Sequence, residues 1–325
     1  MSFIEYVKKS EVINKYNIIS INILSGGLVN KVYKIKTKNQ IYVVKVFNEY
    51  NVKNINKIEK SEEIANVCIK NNINAVSAIK INGKNIQKIS DDYVTIYNYV
   101  DGFYLKNDDI TDFYVKKIAA LSGNIHNINY QENYQKVIRH SIDWAKYAKA
   151  LEFNKTIYKD LYLENYGRYN DIFNKIIKIK NNKKVILGIC HRDIKPSNVL
   201  WFNNKPYLID FESSRVDDIS LDFIETMLKW SGFTSLSINY SKVRIFINEY
   251  KKYIDIENMN YDEILMANLI GRFDFLHFNL EITLVEKTKD KSDYLRASKE
   301  VINMINEIDY YLKIFDELSL FLDKL

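Results

Sequence analysis

Between Ile189 and Ser214 the chain reads ICHRDIKPSNVLWFNNKPYLIDFESS. Asp193 and Asn198 stand five residues apart, and Asp210 follows twelve residues after Asn198. Two carboxylates and a carboxamide at these spacings suit phosphoryl transfer from a nucleotide. That chemistry needs a carboxylate to orient and deprotonate an attacking hydroxyl. It also needs oxygen ligands for a Mg2+ that bridges the phosphates, and a cation on the phosphate chain. Asp193 suits the base. Asn198 and Asp210 suit the metal ligands, each beside a short strand-like run, NVLWF or PYLID, that can hold it rigidly.

The order His-Arg-Asp, Asn, Asp-Phe matches the kinase catalytic signature, and the remaining parts fall where a kinase keeps them. Lys45, in YVVKVF, lies on an expected third strand, the place of the phosphate-binding lysine. In SGGLVN (25–30), Ser25, Gly26 and Gly27 form a loop whose backbone N–H groups can approach phosphates, although a plain β-turn explains it equally well. Glu59, Glu62 and Glu63 compete as the helix partner of Lys45, with Glu62 preferred by spacing. Lys195 is either a cation for the γ-phosphate or an exposed loop charge.

The elements that must carry these residues are legible from their periodicity. YNIISINIL (16–24), LVNKVYKIKT (28–37) and QIYVVKVF (40–47) alternate β-branched and aromatic residues with polar ones, which predicts an antiparallel meander. KIEKSEEIANVCIKNN (57–72) predicts a helix with an apolar stripe. SAIKINGKNIQKI and DYVTIYNYV predict two more strands, with a hairpin turn at Asn82-Gly83. After Gly102 the pattern becomes mainly helical, giving an α+β, two-lobed layout.

GGLVNKVYKI, YVVKVF, YNYVDG, LSGNIHNI, HRDIKPSNVLW and LIDFESS…LDF, in that order, resemble the aminoglycoside phosphotransferase and choline kinase-like superfamily. The resemblance implies a protein kinase-like fold with an antiparallel β-sheet N-lobe, one main N-lobe helix and a largely helical C-lobe. It implies an N-lobe over residues 1–98, a hinge at 99–103 and a C-lobe over 104–325 that contains the catalytic segment 189–214. It also implies ATP or GTP as phosphate donor with Mg2+, and adenine contacts from the backbones of Asn98 and Val100. His126 and His191 take structural roles under it, and Asp222 braces the catalytic loop.

A protein kinase needs a long activation segment and an Ala-Pro-Glu-like anchor. Here Glu212 stands where its glycine would be, no proline follows Pro206, and DDISLDFIETMLKW begins seven residues past Asp210. There is no room for a peptide-docking loop, so the expected acceptor is a small molecule, despite the protein kinase-like Arg192 and Lys195. By family analogy the helices between about 128 and 180, and those after 217, wall the acceptor site. Asp217, Asp218, Asp274 and Glu281 are candidate partners for ammonium groups. Trp230, with the aromatic run GRFDFLHF, is a candidate box for a quaternary amine. Solvated helix carboxylates and core aromatics are the plainer reading of each.

Net charge is +6, from 47 Lys and Arg against 41 Asp and Glu. It is unevenly spread: residues 1–216 carry 34 basic against 21 acidic groups, and residues 217–325 carry 13 against 20. A basic first half suits a polyanionic nucleotide and an acidic second half a cationic acceptor. The lysines are scattered, and no aromatic-plus-basic module marks a nucleic-acid binder. Two cysteines without pairing spacing, an N-terminal stretch without a secretory apolar region, and no long apolar run predict a cytoplasmic protein with no membrane segment. No obligate protein partner is expected. The expected function is an ATP- or GTP-dependent phosphotransferase acting on a small, cationic, hydroxylated compound. Alternatives are a choline-, thiamine- or homoserine-type metabolite kinase, and a nucleotide-binding or spore-coat-type structural protein with a retired active site.

Overall fold

The computed structural model describes residues 17–24, 30–47, 54–89, 92–132, 134, 136–285 and 291–325. They form two compact units, Met1–Tyr130 with Gly188–Val216, and Gln131–Leu187 with Asp217–Leu325.

The first unit is built on a five-stranded antiparallel sheet in the order β1-β2-β3-β5-β4. Its strands are β1 (Ile18–Ile23), β2 (Lys31–Thr37), β3 (Ile41–Val46), β4 (Ile86–Ile89) and β5 (Asp92–Asn98). Alternation sends Tyr33, Ile35, Tyr42, Val44, Val46, Val94 and Ile96 to one buried face. Residues of the opposite parity, Lys45 among them, face the other way. The expected turn is present: Asn82 and Gly83 both have positive φ, 52° and 80°, as a type I′ turn requires. A second such turn, Asn203-Asn204 with φ 50° and 57°, joins β7 (Val199–Phe202) to β8 (Lys205–Leu208). The helix expected at 57–72 spans Ile55–Lys70 (α1) and buries Ile58, Glu62, Ile64, Ala65 and Cys68. The helix α2 (Asp112–His126) completes the unit, with His126 buried in its last turn.

The second unit is helical apart from strand ends: α3 (Ala145–Glu152), α4 (Lys159–Asn165), α5 (Tyr169–Asn182), α6 (Ile219–Trp230), α7 (Tyr240–Tyr250), α8 (Tyr261–Asn268), α9 (Ile270–Leu280) and α10 (Lys291–Leu322). Asp and Asn side chains cap three of these helix starts. Asp218, Asn239 and Asn260 each accept a hydrogen bond from a first-turn N–H of α6, α7 and α8, respectively. Each such cap stabilises by about 1 kcal/mol. Trp144 is fully buried among Tyr169, Phe173 and Phe273, with ring centroids 5.4–5.7 Å away. Arg272 lies between α6 and α10. It reaches Glu225 at 2.9 Å and Glu307 at 3.3 Å, with the rings of Phe233 and Tyr311 alongside. Among the described residues, no helix is long and apolar enough to cross a membrane.

Candidate active site

The segment after β6 (Leu187–Cys190) is held by its own side chains. His191 Nδ1 accepts from the Asp193 N–H at 3.3 Å, so Nε2 carries the proton toward the Ile209 carbonyl oxygen at 3.1 Å. Arg192 sits at φ 70°, a left-handed conformation that turns the chain sharply into Asp193. Asn198 Nδ2 donates to both the Asp193 carbonyl oxygen, 2.9 Å, and Asp193 Oδ2, 2.8 Å. Lys195 Nζ lies 2.6 Å from the same Oδ2. The Ile209 N–H in turn donates to the Asn198 carbonyl oxygen at 3.0 Å. Asp193, Lys195 and Asn198 therefore form one cluster, and a backbone hydrogen bond ties it to the residue before Asp210.

Asp210 is also left-handed, φ 65° and ψ 62°, and opens a short 3-10 turn, Phe211–Ser213, that packs against α1. Lys45 reaches this segment from β3. Its Nζ is 2.9 Å from Asp210 Oδ1 and contacts Glu212 Oε1. Burial works to lower the pKa of the Lys45 ammonium, but the two carboxylates outweigh it and hold the pKa above its ordinary value. Burial pushes Glu212 upward against the pull of Lys45. Glu62 is buried in α1, with Tyr97 Oη donating to Oε1 at 2.5 Å and the Ala78 N–H to Oε2 at 2.9 Å. Burial raises its carboxyl to about 7, against those two donors and Lys45. Glu59 accepts from the Asn85 and Ile86 N–H groups and so ties α1 to the approach to β4.

Asn98 ends β5, and its side-chain oxygen accepts from Gln40 Nε2 at 2.6 Å; Val100 follows, half-buried. Ser25, Gly26 and Gly27 lie outside the described residues. Asn198 donates through its amide nitrogen, which leaves the oxygen end for a cation, and Asp210 is 39% exposed. An all-oxygen donor set of this kind fits a hard ion such as Mg2+.

The candidate acceptor residues all fall in the second unit, and their surroundings differ. Trp230 is fully buried, a core indole rather than the wall of an open box. Asp218 is 2% exposed; it caps α6 and pairs with the buried Lys183 at 2.6 Å. Asp217 is buried and accepts from the Asp218 N–H. Asp274 and Glu281 are half-exposed and already countered, Asp274 by Arg139 at 2.7 Å and Glu281 by Lys146 at 2.7 Å and by the Tyr147 hydroxyl. Reasoning from sequence missed Glu212 as a partner of Lys45. The sequence signal for it is the carboxylate at the third position of the Asp-Phe-x segment, where a protein kinase has glycine.

The profile of the phosphotransferase enzyme family matches residues 20–242, from β1 into α7. The chain belongs to this family. The match takes in Lys45, the 189–214 segment and the start of the helices beyond it, and the expected enzyme class, a small-molecule kinase, stands with it. No curated protein matches the sequence. Among solved structures, a spectinomycin phosphotransferase crystallised with ADP and spectinomycin is similar, with 14% identity over 93% of this chain and 96% of that one and a TM-score of 0.68. Choline kinase from Streptococcus pneumoniae follows at 18% identity, 94% and 99% coverage and 0.64. Ethanolamine kinase from Plasmodium vivax follows at 19%, 93% and 86% coverage and 0.62. At these identities the likeness establishes the fold. This phosphotransferase has the expected kinase-like α+β architecture, with an antiparallel N-lobe sheet and a helical C-lobe.

Proposed function

We propose that this phosphotransferase moves the γ-phosphoryl group of ATP or GTP to a hydroxyl of a small cationic molecule, in the manner of aminoglycoside phosphotransferases. Residues 1–98 serve as the nucleotide lobe, 99–103 as the hinge and 104–325 as the catalytic and acceptor lobe. The observation that carries the reading is the doubly held Asp193 carboxylate, with Asn198 Nδ2 at 2.8 Å and Lys195 Nζ at 2.6 Å on Oδ2. Two donors on one oxygen fix the plane of the carboxylate before an acceptor arrives, which is the orientation a general base needs.

Transfer is direct and in line. The acceptor hydroxyl oxygen forms a bond to the γ-phosphorus, the bond to the bridging oxygen breaks, and the nucleoside diphosphate leaves. Asp193 takes the hydroxyl proton. Lys45 carries positive charge onto the phosphate chain, and Lys195 stands beside Asp193 as a second cation. Asn198 and Asp210 would hold Mg2+, which when bound neutralises phosphate charge. Asn98 and Val100 supply backbone contacts to the base, and Ser25, Gly26 and Gly27 backbone N–H groups to the phosphates.

A second reading, a choline- or ethanolamine-type metabolite kinase, is favoured by the similarity to the two amine kinases. A nucleotide-consumption screen with Mg2+ separates the readings. It would pair ATP and GTP with aminoglycosides, spectinomycin, choline, ethanolamine, thiamine and homoserine, with Asp193→Ala as the blank. Turnover with one acceptor names the substrate class. Nucleotide binding without turnover leaves two explanations, an acceptor outside the screen or a retired active site, and absence of nucleotide binding refutes the proposal.

A further inference from the structure

Lys45 Nζ meets Asp210, the proposed metal ligand, at 2.9 Å, and two further carboxylates, Glu62 and Glu212, compete in principle for the role of orienting it. The sequence points to Glu62 on α1, yet both Glu62 oxygens already have donors, Tyr97 Oη and the Ala78 N–H. Glu212 instead contacts Lys45 Nζ directly. Its own position is secured from two sides. The Phe211–Ser213 turn is anchored by Phe211, which is buried with its ring 4.7 Å from that of His191. From the sheet, Asn30 Nδ2 donates to Glu212 Oε1 at 3.1 Å and to Oε2 at 3.3 Å, across 182 residues of sequence.

Asn30 is well placed for this. It is 7% exposed and directly precedes β2, whose register sets Val32 opposite Lys45. Asn30 and Lys45 therefore approach the same carboxylate from adjacent, hydrogen-bonded strands. The chemistry of the amide matters too. A neutral donor can steer Glu212 without competing for its charge, whereas a lysine or arginine there would draw the carboxylate off Lys45.

We propose that Asn30 and Glu212 are the positioning pair for the phosphate-binding lysine: Asn30 steers the Glu212 carboxylate, and Glu212 holds Lys45 Nζ. The proposal rests on the reading of Lys45 as the cation for the phosphate chain. Neither residue touches the reacting atoms; both act through Lys45.

The test is ATP binding by calorimetry, first in EDTA, so that the lysine is read without a metal, then with Mg2+. Wild type would be compared with Lys45→Ala, Asn30→Ala, Glu212→Gln and the Asn30→Ala/Glu212→Gln double variant. Asn30→Asp, which keeps the size but sets a like charge against Glu212, covers the case in which the alanine variant fails to fold. Asn30→Ala and Glu212→Gln should each weaken ATP about tenfold in EDTA, the scale of one hydrogen bond to a charged group. The double variant should be no weaker than the worse single one, because both act along one path. Asn30→Asp should lose more than Asn30→Ala. Wild-type affinity in Lys45→Ala overturns the underlying reading of Lys45. Loss in Lys45→Ala with wild-type affinity in Asn30→Ala, additive losses in the double variant, or tighter ATP binding in either single variant overturns the positioning pair alone.

Discussion

Asn198 Nδ2 holds Asp193 by two of its oxygens, the carbonyl at 2.9 Å and Oδ2 at 2.8 Å, so that one carboxamide sets both the backbone and the side chain of the proposed base. The arrangement separates what orients Asp193 from what Asp193 does.

Asp193→Ala should lower kcat by about 10²- to 10⁴-fold, the usual contribution of a positioned general base, while leaving nucleotide affinity within a few-fold. Steady-state kinetics with the acceptor found in the screen, together with nucleotide titration, provide the comparison. Wild-type turnover in this variant would remove Asp193 from the chemistry.

Glu62 makes stability depend on pH in a direction opposite to an ordinary ion-paired carboxylate. Burial raises its carboxyl from 4.5 to about 7 in the folded chain. The folded state thus keeps a proton that the unfolded state releases, so this contribution is full below pH 4.5 and is lost as pH rises to about 7. The shift corresponds to about 3 kcal/mol. Glu62→Gln should gain on the wild type by that order between pH 4 and 8 in urea unfolding, and parallel pH profiles for the two proteins would refute it.

Arg272 is 4% exposed between Glu225 and Glu307, and burial of Glu225 is outweighed by Arg272 and Lys229, which pull its carboxyl down to about 2. Arg272→Met should cost about 3–5 kcal/mol by stranding the carboxylates. In the wild type the Glu225 contribution is present above its ordinary value and is lost as pH falls toward 2. Unfolding curves for Arg272→Met at pH 7 and pH 3 should therefore converge on those of the wild type as acid is added.

Gly232 has φ 95°, and a Cβ there would collide with the main-chain oxygen of Ser237. Gly232→Ala should destabilise the helical unit by about 2 kcal/mol or more, from the left-handed penalty and the clash together. A thermal midpoint unchanged from the wild type would show that the turn after α6 adopts another conformation.

The parts legible in the sequence are those whose partners are close along the chain. Lys195 and Asn198 lie within five residues of Asp193, so a single tight loop brings them together whatever the rest of the fold does. The β2–β3 pairing follows from alternation across a short turn, and Asn82-Gly83 is a turn because few residues tolerate positive φ. The Asn203-Asn204 turn uses the same left-handed tolerance of asparagine, but its signal was submerged in a chain rich in that residue.

Tertiary structure alone decided which carboxylate Lys45 meets. Asp210 is 165 residues away along the chain and Asn30 is 182 residues from Glu212, distances at which no local period applies. Three glutamates on α1 share similar spacing, and only packing reveals that Glu59 ties down the chain leading into β4 and that Glu62 faces Tyr97. Trp230 and Asp218 show the same limit: an indole and a carboxylate carry their chemistry in the sequence, but their accessibility depends on which face of α6 the core covers. Residue type sets what a group can do, and nearest neighbours set local conformation. Burial and long-range partners, which determine charge state and availability, arise only when distant segments pack.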